Sequence, residues 1–149
     1  MLERRLAAVA RRVLGWERAR RTRVELTLLD APAMRRLNRR AKGRSALTDV
    51  LAFALPQPDG TVVGDVYLCR AAAEHFVGGL GKEKRGPARG ARVVARRVDE
   101  EMVRLAVHGT LHVLGYDHPE GPGRTRSAMW RRQERYVRRL RARGAAVRT

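Results

Sequence analysis

Isoleucine is missing from this 149-residue chain, asparagine occurs once (Asn38), and cysteine occurs once (Cys69). A lone cysteine cannot close an internal disulfide, so packing must hold the fold and a reducing compartment is expected. No stretch reaches the roughly 18 uninterrupted apolar residues that a membrane-spanning helix requires. Aromatic residues make up only 5% of the chain, too few to serve both a core and a base-stacking platform. Acidic residues are also scarce, 15 against 33 lysines and arginines, which leaves a formal charge of +18.

Thirty of the 33 basic residues are arginine. Codon bias in a genome rich in G and C accounts for arginine over lysine and for the missing isoleucine. It does not account for the excess of basic over acidic residues. A polyanionic partner does, because a basic surface gains affinity by releasing the counterions of phosphates.

The length suits one domain, 1–149, with a sizeable core. The arginine-rich start, MLERRLAAVARRVLGW, faintly resembles a transit peptide, but Leu2, Leu6, Val9 and Val13 together with Glu3 and Glu17 favour a core helix. RVELTLLD (23–30) alternates as a half-buried strand. APAMRRLNRRAKG (31–43) reads as a helix with Asp30 as N-cap and Gly43 at its stop. Two strands, 47–55 and 61–69, flank the turn residues PQPDG, and a helix over 70–77 follows. Five glycines and a proline predict a mobile loop over 78–92. A long helix over 92–115 and a final helix over 125–143 follow, the latter with Met129, Tyr136, Val137 and Leu140 inward. A frayed tail is expected over 144–149. The fold class is α+β (mixed α/β), a small mixed sheet packed with four to five helices.

Three of the four histidines fall in HGTLHVLGYDH. From Met102 to Leu114 the long helix is apolar almost all round, as a buried helix is. Its polar residues Glu101, Arg104, His108 and His112 step by three and four and share one face. Thr110 can bond back to the carbonyl four residues earlier. His108 and His112 project side by side, as a Zn²⁺ ion needs. Gly115 permits the left-handed turn that ends the helix, so that His118 can supply a third ligand. Three protein ligands leave a fourth position open, the catalytic rather than the structural pattern. His75 and Cys69 have no companions at ligand spacing. The spacing coincides with the metzincin H-E-x-x-H-x-x-G-x-x-H except at Gly109, where those peptidases carry their general-base glutamate.

HGTLHVLGYDH resembles the H-G-x-L-H-L-x-G-Y-D-H signature of the YbeY family of zinc-dependent bacterial endoribonucleases. LNRRAKGRSALTDVLAFAL resembles that family's L-N-x-x-Y-R-x-K-x-x-P-T-D-V-L-S-F segment, and GDVYLCR its G-D-I-x-I-C strand. The resemblance runs from about Val24 onward. It implies one zinc per chain on His108, His112 and His118, at the C-terminal end of the long helix, and cleavage of single-stranded RNA. It further implies a role in maturing the 3′ end of the small-subunit ribosomal RNA and in ribosome quality control. Ribosomal subunits or assembly factors would be the partners, the cytoplasm the place, and no membrane would be involved. The family's tyrosine–arginine pair falls on Ala41 and Lys42 and its lysine on Arg44, so Lys42 or Arg44 is expected as the catalytic cation. Leu47 and Ala52 replace the family's proline and serine. Asp117 is expected to support a ligand histidine, and Asp49 and Asp65 are further carboxylates in strand segments. A zinc-containing assembly factor without catalysis and a metzincin-like hydrolase of peptides or amides are the alternatives.

Overall fold

The computed structural model describes residues 2–79 and 87–147. The elements, in chain order, are α1 (Leu2–Trp16), β1 (Thr22–Leu28), α2 (Ala31–Lys42), β2 (Val50–Pro56), β3 (Val62–Leu68), α3 (Arg70–Gly79), α4 (Pro87–Val113), a short 3₁₀ turn (Arg124–Arg126) and α5 (Ala128–Val147). This is an α+β fold with a mixed three-stranded sheet in the order β1-β3-β2. Among the described residues no helix is long and apolar enough to cross a membrane.

Local chemistry sets most of the boundaries. The Asp30 carboxylate accepts from the Ala33 N–H at 2.9 Å and caps α2, while Gly43 closes it at φ 67. At the hairpin, Asp59 Oδ1 accepts from both the backbone N–H and the hydroxyl of Thr61, at 3.0 and 2.6 Å. That contact pins the antiparallel register Val50↔Leu68 to Pro56↔Val62. β1 runs parallel to β3, from Thr22↔Val62 to Leu28↔Leu68.

Two boundaries differ from expectation. Of the stretch read as a mobile loop, 78–79 closes α3 and 87–92 opens α4, while 80–86 lies outside the described residues. Proline at a helix's first position is well tolerated, because its missing N–H has no intrahelical partner there. The C-terminal helix likewise continues through Gly144 to Val147 instead of fraying from 144, and 148–149 lie outside the described residues.

The sheet separates two apolar clusters. Val66 and Leu68 face α1, α4 and α5, packing with Leu6, Val13, Met102, Leu111 and Met129. Leu51 and Phe53 face the other way, toward Met34 and Leu37 of α2. α4, 27 residues and about 40 Å long, lies so close to the sheet that two glycines mark the contact. A Cβ on Gly64 would sit 2.4 Å from Val113 Cγ1, and one on Gly109 would sit 2.6 Å from Val66 Cγ1. The position that holds a glutamate in metzincins therefore faces the sheet here and has no room for any side chain.

Candidate metal centre

The last turns of α4 present His108 and His112, and the chain then reverses. Gly115 stands at φ 97, its N–H donating to the His112 carbonyl at 3.0 Å while the Tyr116 N–H reaches the Leu111 carbonyl at 3.1 Å. This paired Schellman pattern is the one a left-handed C-terminal residue allows, and only glycine adopts it without strain. The reversal brings His118 back over the helix end. His118 Nε2 comes to 3.2 Å from His112 Nε2 and 3.4 Å from His108 Nε2. Thr110 takes the expected back-bond, its hydroxyl donating to the Ala106 carbonyl at 2.7 Å.

The opposite ring nitrogens determine the protonation pattern. His112 Nδ1 lies 3.0 Å from the Tyr116 carbonyl and His118 Nδ1 lies 3.0 Å from the Pro119 carbonyl. Carbonyls only accept, so both Nδ1 atoms carry the proton and both Nε2 atoms keep a lone pair. His108 Nδ1 meets the Gln133 side-chain oxygen at 2.7 Å, which gives the same tautomer. Three lone pairs thus converge on one point, the arrangement in which imidazoles ligate a metal ion. The three histidines form a group that could hold a metal ion.

Electrostatics favour the neutral form of His108 and His112. Burial pushes His108 down to about 4, and the charges of His112, Arg124 and His118 act in the same direction against the Gln133 bond. His112 is lowered as well, by burial first and by His118 next. Burial raises the Asp49 carboxyl, with the Arg124 guanidinium opposing it. The charge of Arg124 thus bears on His108, His112 and Asp49 together.

The other sequence-derived candidates are distributed unevenly. Asp117 holds its neighbour through the backbone and not the ring, its Oδ1 accepting from the His118 N–H at 2.8 Å. Lys42 ends α2, and its ammonium sits 5.8 Å from the centre of the Phe53 ring, on the sheet face turned away from α4. Arg44 is exposed in the loop that follows. That loop is tied down by the one asparagine of the chain, whose Nδ2 donates to the Ala46 carbonyl at 2.8 Å. Asp65 pairs with Phe53 in the sheet register, so it too faces α2. Glu101 and Arg104 do pair, at 3.1 Å, and Glu134 joins them at 3.0 Å.

Spacing along the chain does not point to Gln133 or Arg124. Gln133 is 1% exposed and stands one turn from both Met129 and Val137. A polar residue on an otherwise apolar stripe is the signal that could have found it.

Comparisons with known proteins bear on the fold and the family. Curated relatives named Endoribonuclease YbeY include those of Anaeromyxobacter (37% identical over 97 residues), Moorella thermoacetica (37% over 102) and Wolinella succinogenes (37% over 105). The aligned stretches cover 64, 67 and 69% of this chain, but only 43, 62 and 64% of those relatives' own lengths. A Thermotoga maritima protein solved in solution shares the fold at a TM-score of 0.63 and 23% identity, over 97% of this chain and 85% of that one. A sequence profile described as Endoribonuclease YbeY matches residues 2–141, which extends the likeness back through α1 and β1, and the chain belongs to that family.

Proposed function

We propose that this chain is a zinc-dependent endoribonuclease that cuts single-stranded RNA during maturation of the 3′ end of the small-subunit ribosomal RNA. The convergence of three histidine lone pairs at 3.2 and 3.4 Å carries the reading. A tetrahedral zinc with Zn–N bonds of about 2.0–2.1 Å separates its nitrogen ligands by about 3.3 Å, which fits this spacing. When bound, zinc would supply Lewis-acid polarisation of a phosphate oxygen and of water. The protein's own part is to hold His108, His112 and His118 as neutral donors on one side and leave the other side open to RNA. Arg124, whose charge bears on His108 and His112, is one cation for the phosphate charge that grows during cleavage, and Lys42 or Arg44, which hold the family position from the α2 side of the sheet, are the others. Few aromatics are free to stack bases, so binding is led by the backbone. Ribosomal subunits or assembly factors in the cytoplasm are the setting this substrate implies, and ribosome quality control is the accompanying role.

Purified protein and its His112→Ala variant, incubated with ribosomal precursor RNA, test the reading. Wild-type protein should carry near-stoichiometric zinc and cut, while the variant should do neither. Stoichiometric zinc without any cutting would instead favour an assembly factor with no catalysis.

A further inference from the structure

Outside the histidine centre, a cluster of arginines lies where α1 turns into β1. An open groove of about 800 Å³ there is lined by Arg11, Leu14, Gly15, Arg18, Arg20 and Thr22. It continues past Arg20 and Thr22 into a second hollow of about 510 Å³ beside the β2–β3 turn. The arginines differ in how they are engaged. Arg21 donates to the Asp59 carbonyl at 2.5 Å, and Arg23 pairs with Glu25 at 3.2 Å. Arg11, Arg18 and Arg20 are exposed, and among the described residues none of them pairs with a carboxylate. The nearest acid in sequence, Glu17, is turned away to Arg132 at 3.3 Å, its side chain only 11% exposed.

Backbone conformation supplies an independent observation. Arg18 is the one non-glycine residue with positive φ among the described residues, at 55°. Its N–H donates to the Gly15 carbonyl at 3.1 Å, and the Ala19 N–H donates to the Leu14 carbonyl at 2.9 Å. This is the same Schellman termination that Gly115 makes at the end of α4, here with an arginine in the glycine position. A side chain at that position strains the turn. The chain accepts the strain and gains a guanidinium at the rim of a groove that contains no acid among its lining residues.

We propose that the α1–β1 groove is a backbone-binding track for single-stranded RNA, with Arg11, Arg18 and Arg20 contacting its phosphates. The proposal rests on the RNA reading above and gives that substrate a second surface. Guanidinium forks suit phosphate oxygens, and the lining offers no aromatic ring for base readout. The track is also joined to the metal loop. Glu17 holds Arg132, whose guanidinium lies 5.0 Å from the centre of the Tyr116 ring, one residue after Gly115.

The test uses the full chain carrying His112→Ala, so that RNA is bound and not cut, and a labelled mixed-sequence single-stranded RNA of about 20 nucleotides. Binding is followed by fluorescence anisotropy over a range of salt. Arg11→Gln, Arg18→Gly and Arg20→Gln combined should weaken binding at least tenfold at low salt. They should also flatten the log–log salt slope by about 2, near 0.7 for each phosphate that is no longer neutralised. A charge-matched control, Arg92→Gln, Arg96→Gln and Arg97→Gln on the far half of α4, should change affinity less than threefold. Arg18→Gly alone should raise the thermal midpoint by about 2–4 °C while weakening RNA binding, two effects of opposite sign that a purely structural arginine would not produce. Equal losses in the two triple variants, or unchanged binding by Arg18→Gly, would overturn the track and leave the metal-centre reading standing. Binding of polyglutamate that falls as steeply in the groove variant would reassign the surface to acidic polypeptides. Parent protein that binds no RNA at all would remove both readings together.

Discussion

Replacing Gln133 with leucine isolates the link between α5 and the metal centre. The two side chains have similar volume, so the change removes one hydrogen-bond acceptor and little packing. In the native arrangement the His108 Nδ1–H donates to Gln133 at 2.7 Å in a site 4% exposed at the histidine and 1% exposed at the glutamine. Without that acceptor the N–H is buried and unpaired, which costs about 1–3 kcal/mol. Metal-free protein escapes part of the penalty by moving the proton to Nε2, the atom a metal needs. Zinc binding must then reverse the tautomer and strand the Nδ1–H, so the loss falls on metal affinity. Outer hydrogen bonds of this kind are worth roughly 10–100-fold in affinity, about 1.4–2.7 kcal/mol. Competition against a chromophoric chelator at pH 7.5 should show this loss for Gln133→Leu and full retention for Gln133→Glu, which keeps an acceptor. Urea unfolding of the metal-free proteins separates a folding defect from a binding defect. A leucine variant that holds zinc within twofold of wild type would refute the reasoning.

Other perturbations reach different parts of the molecule. Gly64→Ala should destabilise the fold by about 1–3 kcal/mol, since its Cβ would overlap Val113. Adding Val113→Ala should recover part of that loss in denaturant unfolding, and additive losses would contradict the close approach of α4 to β3. Metal-free protein should lose about 3 kcal/mol of stability as pH falls from about 6.5 to 4. Below pH 6.5 the unfolded chain takes up a proton that the buried His108, lowered to about 4, refuses. Unfolding curves at pH 7 and 4.5 that coincide would exclude this. Lys42→Ala should slow cleavage at least roughly tenfold, and Lys42→Arg should be tolerated, if the family position carries the cation. Normal cutting by Lys42→Ala and Arg44→Ala, with loss in Arg124→Ala, would transfer the role to the 3₁₀ turn.

The three-histidine group was legible because its geometry is local. A spacing of four on a helix puts His108 and His112 side by side, and the glycine at 115 returns the chain within three residues. The Asp30 cap and the PQPDG hairpin were legible for the same reason, since each contact closes within a few positions. Glycine and proline content misled at 87–92, because a proline that opens a helix and one that breaks it look alike without the flanking packing. Nothing local could reveal that residue 133 holds the ring of residue 108, 25 positions earlier, since only the packing of α5 on α4 joins them. Nor could spacing show that Lys42 lies with α2 on one face of the sheet while the histidines lie on the other. The side of the sheet a helix takes is decided by which apolar faces bury each other. An arginine in a left-handed turn is likewise a product of the assembled α1–β1 corner, because in isolation the chain would favour glycine there.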